Sequence, residues 1–238
     1  MKEMKLSLKI SVIIPVCNCE SYIGEAIDSV RRQGLQDYEI LVVDDGSTDA
    51  SAQIAENMGC VVLRKERGGA SSARNLGLSH TDGELILFLD ADDRFTEGAV
   101  SRLLSPMQED DSVCAVFAKA MDFISPELSE EDAAHLCPRP APYDGILPGC
   151  SLIRRKVFDV IGPFVNSLKS GETIDWIMKM RDSGLPWIQI RDITLDRRLH
   201  MNNTGRKSRT EEMKNYAAIL RKRMNSSGPR FTSGDVIQ

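Results

Sequence analysis

Short apolar runs and amphipathic stretches alternate along the first half of the chain. The apolar runs predict strands over residues 10–15, 39–43, 60–63, 85–89 and 113–118. The amphipathic stretches predict helices over residues 21–32, 47–58, 70–78 and 96–107, the second of them capped by Ser47 or Thr48. Strands that alternate with helices of about ten residues predict an α/β fold: a doubly wound, mostly parallel sheet with flanking helices in a single domain.

The pattern becomes irregular after Ala120. Residues 125–132 are acidic, and four prolines between residues 138 and 148 predict an irregular connection. Beyond it, the pattern predicts a returning strand within residues 144–153, a short helix over 154–160, a helix over 170–181, a short strand over 187–190 and a final helix over 210–224. Residues 225–238 have the polar, Gly/Ser/Pro composition of a flexible tail, so residues 1–224 form the predicted domain.

Three carboxylates follow the most apolar of the predicted strands. Residues 85–89 have the pattern of a strand buried on both faces of a parallel sheet, and Asp90, Asp92 and Asp93 come directly after it. If the chain stays extended there, the side chains of Asp90 and Asp92 point the same way. Two carboxylates at the carboxyl end of a parallel strand favour a divalent cation that also holds a diphosphate. The alternative is a solvated acidic turn.

Composition and charge narrow the functional classes. The net charge of −5 disfavours broad nucleic-acid binding, which is typical of basic domains. The longest apolar runs are about five residues, too short to span a membrane, and residues 1–9 lack the core of a signal peptide. We therefore expect a cytoplasmic protein, with peripheral membrane association left open. The six cysteines form no metal or redox motif, and we expect them to be reduced and structural.

Four segments together resemble the family 2 glycosyltransferases of the GT-A fold. They are SVIIPVCN at residues 11–18, VDDGSTD at 43–49, GASSARNLG at 69–77 and LDADD at 89–93. GETIDW at residues 171–176 and RLH at 198–200 extend the likeness. The resemblance implies an inverting transferase that takes a sugar from a nucleoside diphosphate donor, usually a uridine one. It also implies a nucleotide-sugar-binding half over residues 10–120, an acceptor-binding half over 121–205 and a C-terminal helix over 206–224.

The resemblance assigns the donor site to four loops. The first loop, around the base and ribose, maps to Pro15, Val16, Asn18 and Glu20. The family carboxylate at the uracil edge maps to Asp45, and a carboxylate can accept the imide N–H that uracil presents. Arg74 follows a glycine turn near a helix start, where cation and amides meet phosphate; the alternative is an ordinary surface helix residue. Cys17 stands where the family commonly has an aromatic residue beside the base.

The resemblance also implies a metal site that holds Mn²⁺ or Mg²⁺. Asp92 is the closer metal ligand, and Asp90 lies nearer the ribose and the metal, with Ala91 between them in the nucleotide-sugar site. The bound metal neutralises the leaving diphosphate as a Lewis acid. His200 matches a family histidine that completes the metal site or contacts the diphosphate; the alternative is a surface histidine in a polar loop.

Two residues are candidates for the general base. An inverting transfer needs a carboxylate that takes the proton of the acceptor as it attacks the anomeric carbon. Glu172 and Asp175 are three residues apart and share a face of the predicted helix. The family commonly has Glu and Asp side by side, whereas here Thr173 replaces the aspartate. We favour Asp175, with Glu172 orienting the acceptor or sharing the role; the alternative is a pair of first-turn acids favoured by the helix dipole.

Two other functions are weighed against transfer. A sugar nucleotidyltransferase needs a glycine-rich basic loop after the first strand, and residues 15–18 contain neither glycine nor a cation. A degenerate protein that binds a nucleotide sugar without chemistry is kept open by Thr173. For the enzyme, we expect a saccharide, lipid-linked or peptide acceptor in solution or at a membrane surface. Residues 125–149 and the helix after Thr210 are expected to select the acceptor and to make any homodimer contacts.

Overall fold

The computed structural model describes residues 8–145, 148–166 and 171–203, which form one sheet flanked by helices. The strands are β1 Ile10–Val16, β2 Tyr38–Asp45, β3 Val61–Lys65, β4 Leu85–Phe88, β5 Arg94–Phe95, β6 Ala115–Ile124, β7 Tyr143–Asp144, β8 Ser151–Arg154 and β9 Trp187–Leu199. The helices are α1 Ile23–Arg31, α2 Ser51–Asn57, α3 Ala70–Ser79, α4 Ala99–Glu109, α5 Glu130–Ala134, α6 Lys156–Ile161 and α7 Glu172–Asp182. A 3₁₀ turn spans Pro148–Cys150.

The strand order places the ends of distant strands at one edge. The sheet runs β3-β2-β1-β4-β8-β6-β9-β5, with β7 paired to β6. Strands β1 to β4 are parallel, β8 is antiparallel to both β4 and β6, and β9 is parallel to β6. The carboxyl end of β9 therefore lies at the same edge as those of β1 to β4, although more than 100 residues separate Asp92 from His200.

Successive side chains of β4 point to opposite faces of the sheet and pack in a separate hydrophobic core on each face. Leu85 and Leu87 pack in a cluster that includes buried residues of α1 and α4. Ile86 and Phe88 pack in a second cluster that includes buried residues of α3, α6 and α7. Burying a side chain of this size contributes roughly 1.5–3 kcal/mol, so β4 is a strong central element. The predicted α/β fold with a mostly parallel sheet and flanking helices is confirmed.

Several predicted elements differ in extent from the observed ones. The predicted short strand over 187–190 is in fact β9, which continues to Leu199, and the connection over 125–149 contains α5 and β7. The chain does not stay extended after β4, because it turns and Asp93 N donates to Asp90 O at 3.0 Å. The final helix over 210–224 and the tail over 225–238 lie outside the described residues. Within the described part of the chain, no helix has the length and apolarity of a membrane span.

Candidate active site

The first two loops at the carboxyl edge are tied to each other. Asn18, with a positive φ of 53°, donates from its backbone N to Ser47 Oγ at 3.0 Å, and its Oδ1 accepts from Thr48 N at 2.8 Å. Glu20 Oε2 accepts from Ala50 N at 2.9 Å, and Glu20 N donates to Asp49 Oδ2 at 3.0 Å. The side chains of Asn18 and Glu20 therefore order the second loop in this structure.

Asp49 anchors the start of helix α2. Its Oδ1 accepts from Ser51 N at 3.0 Å and from Ser51 Oγ at 2.6 Å. Burial opposes ionisation of Asp49, but the hydrogen bonds from Ser51 and Glu20 outweigh it and lower the pKa of Asp49. The charged form of Asp49 is thus the one that the folded loop stabilises.

Asp45 fixes the glycine turn of the third loop. Its Oδ1 accepts from Lys65 Nζ at 2.6 Å and from Gly68 N at 2.8 Å, and its Oδ2 accepts from Gly69 N at 2.7 Å. A carboxylate has about four acceptor positions, and these three hydrogen bonds fill three of them. A Cβ on Gly68 would lie 2.7 Å from Lys65 Nζ, so a larger residue there would move the lysine ammonium away from its present position.

Arg74 is a buried partner of the acidic turn. It lies on α3 and is 4% exposed, and its Nη2 donates to Asp90 Oδ1 at 2.5 Å. Its guanidinium also lies 5.9 Å from the centre of the Phe164 ring. The alternative of an ordinary surface helix residue is wrong. Arg74 instead holds the Asp90 carboxylate at the carboxyl end of β4.

Asp92 and His200 meet across the sheet edge. His200 Nε2 lies 3.0 Å from Asp92 Oδ2, and the Tyr22 ring packs on the imidazole with ring centres 4.7 Å apart. His200 is 5% exposed, so the alternative of a surface histidine is wrong. Its Nδ1 accepts from Asn202 N at 3.3 Å, so the neutral ring carries its proton on Nε2 and donates to Asp92.

Asp93 is the third acid of the turn but differs from its neighbours. It is buried, and its Oδ1 accepts from Arg198 N at 2.9 Å. Burial, reinforced by the carboxylates of Asp92 and Asp90, raises the pKa of Asp93 well above its usual value. The Asp93 side chain is thus buried inside the protein, whereas the side chains of Asp90 and Asp92 are partly exposed.

The residues present fit a divalent metal as a partial ligand set. Among residues 8–145, 148–166 and 171–203, no group of three or more His, Cys, Asp or Glu side chains is arranged to hold an ion. Mg²⁺ is nevertheless usually bound by one or two carboxylates together with substrate phosphates and water. Asp92 supplies such a carboxylate, with Asp90 close by in the same turn. His200 could join as a ligand only after the proton on Nε2 is lost or moved to Nδ1.

The candidate bases lie in the first turn of α7. Asp175 Oδ2 forms an ion pair with Lys179 Nζ at 2.7 Å, and Glu172 begins the helix. Trp176 fixes this turn: it stacks on Phe158 with ring centres 4.6 Å apart and packs on Phe164 at 5.3 Å. Phe164 also contacts Arg74, so Trp176 and Phe164 connect the first turn of α7 to Arg74 by side-chain packing. The assignment of the base stays a prediction.

The other predicted residues lie at the same edge. Val16 pairs with Asp44 and Pro15 with Val43 in the ladder between β1 and β2. Ala91 is buried in the acidic turn. The structure thus brings the predicted donor-site residues onto the carboxyl ends of β1, β2 and β4, the N-terminal half of α3 and the end of β9.

Several residues around the site were missed by sequence reasoning. They are Tyr22, Glu25, Lys65, Arg198 and Asn203. Two of them had a signal: Arg198 is part of the RLH segment, and Lys65 lies at the carboxyl end of the third predicted strand. Tyr22 and Glu25 contact the site through partners that are distant in sequence, so a local pattern does not reveal them.

Comparisons with known proteins agree with this geometry. Residues 11–162 match the model of glycosyl transferase family 2. The chain is 28% identical to the glycosyltransferase GlyG of Streptococcus pneumoniae over 180 residues, which cover 66% of this chain and 60% of that protein. The chain therefore spans less than two thirds of the length of this curated relative.

Solved structures show the same fold. TarS of S. aureus in complex with UDP-GlcNAc superposes with a TM-score of 0.68 at 23% identity, covering 90% of this chain and 66% of that one. Glucosyl-3-phosphoglycerate synthase of Mycobacterium tuberculosis, with Mn²⁺, UDP and phosphoglyceric acid, gives a TM-score of 0.64 at 22% identity and covers 91% and 78%. With a family match that covers more than half of its residues, the chain belongs to glycosyl transferase family 2.

Proposed function

We propose that this chain transfers a sugar from a UDP-sugar to an acceptor, with inversion at the anomeric carbon and with Mn²⁺ or Mg²⁺. The observation that carries the proposal is the meeting of two pairs in one acidic turn: Arg74 with Asp90, and Asp92 with His200. A purely structural turn has no need to bring an arginine and a histidine from distant elements onto two partly exposed carboxylates. A site for a metal and a diphosphate does need such an arrangement, because it requires both carboxylates and cationic or hydrogen-bonding groups next to them.

Recognition of the base is assigned to Asp45. A carboxylate can accept the imide N–H of uracil, and Lys65 and the glycine turn hold the Asp45 carboxylate in place. The TarS and synthase structures contain UDP-GlcNAc and UDP, whereas the mannosyltransferase PcManGT, which has the same fold, contains GDP-Man. Uridine is therefore the first base to test and guanosine the second. Asn18 and Glu20 act by shaping the first two loops around the nucleoside.

The diphosphate and metal are assigned to the acidic turn. Asp92 would hold the metal, and Arg74 would keep the Asp90 carboxylate in place beside it. When bound, the metal supplies Lewis-acid stabilisation of the leaving diphosphate. His200 donates from Nε2 to Asp92 or to the diphosphate, or enters the metal site once Nε2 is free of its proton.

The transfer step is assigned to the first turn of α7. The acceptor oxygen forms a bond to the anomeric carbon while the bond from that carbon to the diphosphate oxygen breaks, and the departing UDP takes the bonding electrons. Asp175, or Glu172, accepts the proton of the acceptor hydroxyl. The ion pair with Lys179 orients Asp175 for this role.

Binding without transfer is a second candidate that one observation favours. Asp175 is paired with Lys179, and Thr173 stands where the family has an acid, so the first turn of α7 could lack an active base. The two candidates agree on the donor site and differ only in turnover.

The test is release of UDP from a panel of UDP-sugars by the full chain, with Mn²⁺ and with EDTA, beginning with UDP-GlcNAc. Water and a mixture of acceptors are both supplied, because hydrolysis of the donor and transfer to an acceptor each release UDP. Metal-dependent release from one UDP-sugar supports the proposal. Metal-dependent UDP binding with no release under any condition supports binding without transfer. Release of diphosphate from a nucleoside triphosphate and a sugar phosphate contradicts both candidates.

A further inference from the structure

Arg198 is a buried arginine that joins three distant parts of the chain. It is 3% exposed, near the end of β9. Its Nε donates to the backbone oxygen of Asp92 at 2.9 Å, its Nη1 donates to Ser125 Oγ at 3.0 Å, and its Nη2 donates to the Glu25 carboxylate. Each nitrogen of the guanidinium is therefore engaged, and each by a different segment.

Two aromatic rings hold the same guanidinium. The Tyr22 ring centre lies 4.9 Å from it and the Phe123 ring centre 4.6 Å. Tyr22 is the residue that also packs on His200, and its hydroxyl donates to Glu127 at 2.6 Å. Burial and this hydrogen bond raise the pKa of Tyr22 to about 12, so the hydroxyl stays a donor at neutral pH.

The backbone of Arg198 reaches the side chain of Asp92 as well. Its carbonyl accepts from Asn203 Nδ2 at 3.1 Å, and the same Nδ2 lies 3.3 Å from Asp92 Oδ2. Its N–H donates to Asp93 Oδ1. One residue thus controls the backbone of the acidic turn and, through Asn203, the orientation of the Asp92 carboxylate.

We propose that Arg198 is a positioning residue that sets the Asp92 carboxylate and the His200 ring for the metal–diphosphate complex. The inference rests on the proposed function. It assigns to Arg198 a role in how tightly the protein–UDP complex binds the metal, beyond any role in stability. The planar guanidinium is required, because it donates in fixed directions to Asp92 O and Ser125 Oγ at once; a lysine ammonium on a flexible stem does not reproduce that geometry.

Arg94 provides a matched control. It pairs with the other oxygen of Glu25 at 2.5 Å and with Asp196 at 3.0 Å, and its guanidinium lies 4.3 Å from the Phe123 ring centre. It therefore shares Glu25 and Phe123 with Arg198. Its side-chain hydrogen bonds go to Glu25 and Asp196, whereas Arg198 also donates to the acidic turn. In Arg198→Met, Arg94 still neutralises Glu25, so the substitution does not leave this half-buried carboxylate without a cation.

The experiment measures melting temperatures of the full chain as MnCl₂ is titrated at saturating UDP, and as UDP is titrated in EDTA. We expect Arg198→Lys and Arg198→Met to raise the Mn²⁺ concentration at the midpoint of the titration about tenfold or more. This is the size of effect that follows when a group that orients a metal ligand is removed. The change in melting temperature that UDP causes in EDTA should be retained. Arg94→Met is expected to keep the wild-type midpoint. The proposal requires that the lysine in Arg198→Lys does not restore the wild-type Mn²⁺ midpoint.

The outcomes separate this inference from the proposed function. A wild-type Mn²⁺ midpoint in both Arg198 variants, or in Arg198→Lys alone, overturns the positioning role even if the melting temperature falls. A wild-type chain with no Mn²⁺-dependent response to UDP overturns the proposed function and this inference together. If the Arg198 variants do not fold, Ser125→Ala removes the acceptor of Arg198 Nη1 and tests the same guanidinium through its partner. A raised midpoint in Ser125→Ala supports the inference, and a wild-type midpoint overturns it.

Discussion

Replacing Asp92 by asparagine removes one charge while keeping the local packing. Both His200 Nε2 and Asn203 Nδ2 approach the same oxygen, Oδ2, at 3.0 and 3.3 Å. An asparagine therefore keeps its amide oxygen at that position and places its NH₂ group where Oδ1 stood. The variant then presents a donor to a metal that needs an acceptor. We expect folding to be preserved and the metal site to be lost.

The magnitude follows from the charge that is removed. Lewis-acid stabilisation of a leaving group is worth several kcal/mol. A loss of about 3–4 kcal/mol lowers the rate of UDP release about 10²–10³-fold, since roughly 1.4 kcal/mol corresponds to a factor of ten. The retained hydrogen bonds to Oδ2 should keep the melting temperature of the ligand-free Asp92→Asn variant close to that of the wild type.

The assay compares UDP release at saturating Mn²⁺ by the wild type, by Asp92→Asn and by a control, Asp111→Asn. Asp111 is an exposed acid just before β6, at the opposite edge of the sheet, so its neutralisation changes net charge equally without touching the site. Wild-type turnover by Asp92→Asn, or an equal loss in Asp111→Asn, would refute the reasoning from the acidic turn.

Three further predictions test other parts of the site. Gly68→Ala should displace Lys65, whose Nζ lies 2.7 Å from the new Cβ, and weaken UDP binding about tenfold or more in a calorimetric titration; unchanged affinity would contradict the role of the glycine turn. The folded-state pKa of Asp49 is depressed below its ordinary 3.8, so its stabilisation is present above that pH and is lost as pH falls through the lower, folded pKa. Urea unfolding of Asp49→Asn should accordingly show a flatter loss of stability below about pH 5 than the wild type, and equal slopes would exclude this contribution. Asp175→Asn should lower the rate of transfer more than Glu172→Gln does while both keep UDP affinity, and the reverse order would make Glu172 the base.

Gly24 offers a control for the glycine substitution. It lies within α1, and a Cβ there would meet Met58 Sδ at 3.8 Å, an ordinary contact. Gly24 is in the first turn of α1, so Gly24→Ala should not lower the free energy of unfolding and should leave UDP affinity unchanged. A loss of affinity in both glycine variants would point to a general effect of substitution and not to Lys65.

Local patterns were sufficient for the parallel half of the sheet. Leu85–Phe88 is apolar at each position because both faces of β4 are covered, and the position of Asp90 and Asp92 at its end follows directly. The meeting of the first, second and acidic loops follows from the rule that parallel strands end at one edge. For this reason the meeting of these loops at one edge could be predicted before any contact was known, whereas the assignment of donor-site residues follows from the resemblance to the family and stays a prediction.

The end of β9 could not be predicted in the same way. Residues 191–199 carry five charged side chains, and charged residues are depleted in buried strands. Arg198 is buried there because Asp92, Ser125 and Glu25 supply its partners from other segments. A local window does not contain that information, so the strand was expected to end at residue 190.

The acidic turn shows a second limit. An extended backbone was assumed for residues 90–93, whereas Asp93 N donates to Asp90 O and closes a turn. The side chains of Asp90 and Asp92 are then directed by their partners, Arg74 and His200, and not by strand alternation. The prediction identified the residues of the turn but not the contacts that orient them.

The central claim is a site at the acidic turn that binds UDP through a divalent metal. Isothermal calorimetry of UDP binding to the full chain, in Mn²⁺ and in EDTA, tests it most directly. The account predicts binding that is tighter in Mn²⁺ than in EDTA, and an affinity in Mn²⁺ that falls to the EDTA level in Asp92→Asn. Equal affinity with and without the metal, or no binding of UDP in either buffer, would contradict it.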